Sequence, residues 1–195
     1  MRRGRAMTGQ TDTTPSRRSI LAGAAVLGAA GGVGALAWRR YDLGGKLFNP
    51  LAADRFDLPP VPGLTDTLGA QIPGFSAADI AGKAVFLNAF ASWCPQCREE
   101  HQALVEFARS GATIYGIASV DDPDNTLKYL RAFGNPYVRV GVDHKGWLYR
   151  ALGARGIPAS FVLAPAPKIA FSHFGPIALA ELKASIPKAL QGAAF

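Results

Sequence analysis

The chain has two cysteines, Cys94 and Cys97, three positions apart at the end of an apolar run. Ala84 to Phe90 (AVFLNAF) has the length and composition of a buried strand. It leads into Ala91-Ser92-Trp93-Cys94, and Pro95 then suits the first turn of a helix, where a missing N–H costs nothing. Glu99 and Glu100 lie early in that helix, where its dipole favours acids, and Leu104, Val105 and Ala108 carry an apolar face on to Arg109. Cys94-Pro95-Gln96-Cys97 is therefore expected at a strand-to-helix junction, with Cys94 at the helix N-terminus. Unpaired backbone N–H groups there favour thiolate and lower the thiol pKa. Thiolate is the attacking form in disulfide exchange. Cys97, one turn further in, is placed to resolve a mixed disulfide.

The remaining pattern alternates strands and helices. Ala112–Val120 reads as a strand, Asp121–Asp124 as a turn and helix cap, and Thr126–Phe133 as a helix. Tyr137–Val142 reads as a strand and Gly146–Leu152 as a short helix. Ser160–Ala164 and Lys168–Phe174 read as a hairpin with Pro165 and Pro167 in the turn. Ala178–Leu190 closes the chain as a helix that Pro187 is expected to kink or end early. Residues 41–80, rich in Pro and Gly, read as a tether followed by irregular structure or short edge strands. The fold class is α/β with a central sheet. Trp147, Tyr149, Phe161 and Phe171 are expected in the core, and His144 and His173 on the surface.

Other chemistries for the two thiols fit less well. Structural zinc takes four ligands, and Cys94, Cys97 and His101 leave the fourth without an obvious donor. Haem attachment needs a His after the second Cys, where Arg98 stands. A bridge across so short a loop gains little chain entropy, so a purely structural disulfide is disfavoured.

Gly156-Ile157-Pro158 precedes a strand. A cis proline there would turn the chain and set the Ile157 backbone against the disulfide. That backbone could then pair with an extended substrate segment. An ordinary trans proline at a strand start is the alternative, and the neighbouring dithiol favours cis.

Charge separates the ends of the chain. The formal charge is +7, yet residues 1–40 hold seven arginines and a single acid, Asp12, so the rest is nearly neutral and offers no basic face for nucleic acid. Ser19–Trp38 is twenty residues without a charge, long enough to span a bilayer. The larger basic cluster precedes it, which predicts a cytoplasmic N-terminus and an exported remainder. Ala35-Leu36-Ala37 offers a cleavage pattern, and Ser16-Arg17-Arg18-Ser19-Ile20-Leu21 resembles a twin-arginine signal. Arg39 and Arg40, where a mature chain would begin, favour an uncleaved anchor. The expected organisation is a cytoplasmic basic segment (1–18), a membrane anchor or signal (19–38), a tether (39–55) and a domain (56–195). The expected location is the bacterial inner membrane, single-pass with the domain facing the periplasm, or the periplasm itself after cleavage.

From Phe56 to Leu190 the chain resembles the thioredoxin superfamily, and within it the thioredoxin-like reductases of cytochrome c maturation. The stretches that carry the resemblance are Leu87–His101, Phe133-Gly134-Asn135-Pro136-Tyr137, Asp143–Gly146 and Gly153–Phe161. The resemblance implies a thioredoxin-like fold, with a central mixed sheet flanked by helices. Cys94 would be the nucleophile, Cys97 the resolving thiol and Pro158 the cis proline. Trp93, Pro95, Ile157 and Pro158 would form the substrate-binding surface. Asn88 stands where general thioredoxins carry a buried Asp. Glu100 matches a family acid near the cysteines and is the candidate proton acceptor for Cys97, the alternative being a solvated acid. Ala159-Ser160 departs from the acid and Thr that typically follow the family's cis proline, which bears on partner choice or potential and not on the exchange chemistry.

The expected activity is protein-disulfide reduction, with apocytochrome c or cytochrome c maturation proteins as partners. No Gly-x-Gly-x-x-Gly fingerprint follows a strand, so the Cys94–Cys97 pair is itself the redox group, and no cofactor or metal is expected. A periplasm is kept oxidising, so a transmembrane thiol reductant is implied. Two alternatives stay open: a general envelope reductase or oxidase, and a copper(I)-binding thiol chaperone, since soft thiolates suit that ion.

Overall fold

The computed structural model describes residues 56–165 and 168–193. The basic segment, the hydrophobic segment, the tether and Pro167 of the expected turn lie outside the described residues. Among those described, no helix is long and apolar enough to cross a membrane.

The strands are β1 (Asp57–Leu58), β2 (Phe75–Ser76), β3 (Val85–Phe90), β4 (Ile114–Ser119), β5 (Arg139–Asp143), β6 (Ala159–Leu163) and β7 (Ile169–Phe174). The helices are α1 (Ala77–Ile80), α2 (Pro95–Arg109), α3 (Pro123–Phe133), α4 (Trp147–Ala151) and α5 (Leu179–Ala193). Five strands form one sheet in the order β5-β4-β3-β6-β7. β3 runs parallel to β4, and β4 to β5, whereas β6 and β7 are antiparallel, so the sheet is mixed.

β3 is buried along its whole length, which is why it reads as an unbroken apolar run rather than an alternation. Its side chains divide between two cores. Phe86 and Phe90 join Leu104 and Phe107 of α2, Tyr129 and Leu130 of α3, and Leu182 and Ile186 of α5. Val85, Leu87 and Ala89 face Phe75, Ile80, Leu148 and Tyr149 on the other side. Full burial of each large apolar side chain contributes about 1.5–3 kcal/mol. Asn88 belongs by alternation to the α2 face. The free edge of β5 is covered by the lead-in segment: Val140 N–H donates to Pro73 O at 2.9 Å and Val142 N–H to Pro59 O at 2.8 Å.

Three expectations are corrected. Trp147 is exposed, not in the core: α4 is a single short helix whose Leu148, Tyr149 and Ala151 take the inward positions. Pro187 does not end α5, which continues to Ala193 because Leu182, Ile186 and Ala193 hold it against the core. Glu99 and Glu100 lie beyond the first turn of α2. Tyr149 and Phe161 are buried, and Phe171 is partly buried against the α2-side core.

Candidate active site

The site is assembled where β3 ends. Cys94 is the N-cap of α2, with extended backbone angles, and Pro95 occupies the first turn. Cys97 N–H donates to Cys94 Sγ at 3.2 Å, so the helix end already directs a hydrogen-bond donor at that sulfur. A thiolate formed there on reduction would find a charge-assisted hydrogen bond already in place.

Cys94 and Cys97 are joined by a disulfide, with Cα atoms 5.3 Å apart. Both are buried. The Ile157–Pro158 peptide bond is cis, and the Ile157 carbonyl oxygen lies 3.8 Å from Cys94 Sγ. The sequence expectation that this backbone faces the disulfide is met. Pro158 is buried and Ile157 partly so. Trp93 is 59 % exposed beside Cys94, and its indole N–H donates to Val120 O at 2.9 Å. Two grooves flank the disulfide. One is lined by Trp93, Pro95, Arg98 and Glu99, the other by Gln96, Arg155, Ile157, Pro158 and Phe174 among others.

Behind the dithiol lies a buried polar network. Glu100 shares a helix face with Cys97, one turn on. It is 2 % exposed, so it is not a solvated acid. Asn88 Nδ2 donates to Glu100 Oε1 at 2.8 Å, and the Ile177 N–H donates to Oε2 at 2.9 Å. The Tyr137 hydroxyl donates to Asn88 Oδ1 at 2.7 Å, and Ser160 Oγ accepts from Asn88 Nδ2 at 3.2 Å. Burial pushes the Glu100 carboxyl up to about 7, the two hydrogen bonds opposing it only in part. Burial also holds the Tyr137 hydroxyl well above its ordinary value, so it remains a donor. Sequence reading missed the tie between Glu100 and Ile177, seventy-seven residues apart. It read Asp121 as turn and cap alone, whereas the carboxylate also reaches the loop before Cys94, taking Ser92 N–H at 2.6 Å and Ser92 Oγ–H at 2.8 Å. Neither tie has a local pattern that could have shown it.

A disulfide capping a helix, set against the backbone of a cis-proline loop on a mixed five-stranded sheet, defines a thiol–disulfide oxidoreductase of thioredoxin-like fold. The chain belongs to the redoxin family, whose sequence profile matches residues 60–186. It is 37 % identical over 125 residues to the thiol:disulfide interchange protein CycY of Rhizobium leguminosarum bv. viciae, covering 64 % of this chain and 67 % of that one. It is 35 % identical over 130 residues to the thiol:disulfide interchange protein HelX of Rhodobacter capsulatus, covering 66 % and 73 %. Among solved structures it is similar to MTB DsbF, with a TM-score of 0.58 at 19 % identity over 72 % of this chain and 97 % of that one. A secreted Mycobacterium tuberculosis disulfide oxidoreductase homologous to E. coli DsbE gives a TM-score of 0.56 at 19 % identity, covering 71 % and 97 %. These two structural likenesses carry the fold.

Proposed function

We propose that this chain is a protein-disulfide reductase of the bacterial periplasm, held to the inner membrane by its N-terminal segment and serving cytochrome c maturation. The observation that carries the reading is the Cys94–Cys97 disulfide, capped by the Cys97 N–H and facing the Ile157 carbonyl. The resemblance of the chain to cytochrome c maturation reductases supports the direction and the clients, and its similarity to relatives named thiol:disulfide interchange proteins supports the exchange chemistry.

In the reduced protein, the Cys94 thiolate attacks one sulfur of a client disulfide. A mixed disulfide forms and one client thiolate leaves. The Cys97 thiolate then attacks Cys94 Sγ, closes the Cys94–Cys97 bond and releases the second client thiolate. Two electrons pass from this chain to the client. A membrane thiol reductant restores the dithiol by the reverse exchange. The backbone at Ile157 and the exposed Trp93 hold the client segment, with Pro95 and Pro158 shaping the surface around them. Glu100, buried and with a pKa of about 7, takes the proton that Cys97 must lose to attack. A Glu100→Gln variant whose Cys97 titrates unchanged would remove that role.

The experiment is covalent capture. Cys97→Ala in the native cell leaves mixed disulfides at Cys94 unresolved. Capture of cytochrome c precursors or their assembly factors is the expected result. A scatter of unrelated envelope proteins would replace the maturation role with a general one, and an unreactive Cys94 would defeat the exchange mechanism.

A further inference from the structure

The segment Ala91–Trp93 joins β3 to α2 and carries the exposed indole next to Cys94. Its polar groups need partners, and it lies outside any strand or helix. They come from the turn after β4. Asp121 is 7 % exposed. Its carboxylate accepts from Ser92 N–H at 2.6 Å, Ser92 Oγ–H at 2.8 Å, Thr126 Oγ1–H at 2.9 Å and its own neighbour Asp122 N–H at 2.9 Å. Four donors offset the cost of burying that charge. The helix does not need Asp121 as its cap, because Asp122 caps α3 through Asp124 N–H and Asn125 N–H.

Val120 supplies the second hold. Its carbonyl accepts the Trp93 indole N–H, and its N–H donates to Asp143 O at 2.9 Å. It is a β-branched residue at φ +52°, a conformation that such residues rarely adopt. Gly146 packs against it so closely that a Cβ there would lie 2.6 Å from Val120 Cγ2. Strain of this kind persists only where the surroundings over-determine it.

The geometry points to Asp121 as a positioning residue: acting through Ser92, with the Val120 carbonyl as a second point of attachment, it sets the Trp93 face against which the client docks. The inference rests on the disulfide-exchange reading and deepens it. Trp93 touches the client, and Asp121 acts only through the loop.

The test is Asp121→Asn in the full chain. The amide retains one oxygen for donors that now share two, and its NH2 group faces N–H and O–H donors. Two oxidised substrates are compared under steady reductant supply. One is a disulfide-bonded peptide carrying a Cys-x-x-Cys-His segment, and the other is the small aromatic disulfide dithiobis(nitrobenzoate), which needs no docking face. The expected result is about a tenfold rise in KM for the peptide with kcat changed less than twofold, the pattern of lost uniform binding. The rate with the small disulfide falls less than twofold. The 15N-indole resonance of Trp93, assigned by its loss in Trp93→Phe, shifts or broadens. Adding Ser92→Ala to Asp121→Asn makes the KM no worse, because both changes cut one linkage.

An unmoved indole resonance with unchanged KM overturns the inference. So do effects of the two substitutions that multiply, or equal losses on both substrates. If Asp121→Asn does not fold, Ser92→Ala alone decides: it removes one bond and leaves three donors on the carboxylate. A KM rise of about threefold with a shifted indole upholds the clasp, and an unchanged pair of readouts rejects it. If the wild type leaves the peptide disulfide intact, the client reading fails, and the indole resonance alone judges the clasp.

Discussion

Asn88 and Glu100 face one another in the α2-side core, the amide of one donating to the carboxylate of the other at 2.8 Å. The pair couples the central strand to the helix that carries both cysteines. Its second carboxylate oxygen reaches across to the Ile177 N–H, and Pro158 O accepts from Gly175 N–H at 2.9 Å in the same segment. Dithiol helix and cis-proline loop are therefore tied through one buried acid and the 175–177 backbone.

Glu100 makes stability depend on pH. Its folded pKa of about 7 lies above the ordinary 4.5, with burial the largest cause. Below about pH 4.5 both folded and unfolded chains hold the proton. Between there and pH 7 the unfolded chain releases a proton that the folded one keeps, so stability falls as pH rises and the loss is complete above pH 7. The loss is of order 3 kcal/mol. Urea unfolding of the oxidised protein at pH 5 and pH 8 measures it. Glu100→Gln removes this fall and leaves the opposite, rising trend from His101, whose pKa burial lowers, at a cost of about 1–3 kcal/mol from a donor left without its acceptor.

Gly116 lies on β4 beneath Tyr137, and a Cβ there would meet the Tyr137 ring at 2.9 Å and Phe90 at 3.1 Å. Gly116→Ala is expected to destabilise by about 1–3 kcal/mol, since the ring and backbone must shift to admit the methyl group. The shift also loosens the Tyr137 hydroxyl from Asn88 Oδ1. Chemical denaturation measures the first effect. A changed Asn88 side-chain amide resonance measures the second.

In the reduced protein, alkylation separates the two thiols. Cys94 is the helix cap at 4 % exposure, with its neighbours Trp93, Pro95 and Gln96 lining the two grooves, while Cys97 is one turn inside at 1 % exposure. Iodoacetamide is expected to modify Cys94 ahead of Cys97. Mass spectrometry after timed labelling reads the order. Equal labelling of the two cysteines would contradict the geometry.

Val120→Gly removes the left-handed strain of a β-branched residue, and the expected gain is about 1 kcal/mol in thermal unfolding. Loss of the side chain costs little, because Val120 is already 43 % exposed. A destabilised variant would show that Val120 side-chain packing outweighs the strain.

Much of the site could be read in the chain because it is local. The apolar run of β3, Pro95 at a helix start and the three-residue spacing of Cys94 and Cys97 follow from backbone geometry over a few residues. Pro158 stands before a strand, the dithiol elsewhere in the chain favours the cis form there, and its peptide bond is cis. The residues of α2 after Cys97, as far as Arg109, show their inward face by helical period alone.

Phase in short elements was harder to read. Trp147 and Tyr149 both look like core residues, yet in the five residues of α4 the first is outside and the second inside. A single turn has too few residues to establish a face. Pro187 looks like a helix end, yet the buried Leu182 and Ile186 carry α5 past it.

The sequence by itself determined the redox dithiol, its place at a helix N-terminus and the alternation of strands and helices, because these depend on neighbours within a turn or two. Only the tertiary structure decided that Glu100 is buried, that its carboxylate spans from Asn88 to Ile177, and that Asp121 holds Ser92. Those contacts join residues 12, 77 and 29 positions apart. The physical reason is that a charge can be buried only where distant donors converge on it, and no local period records which distant donors will meet.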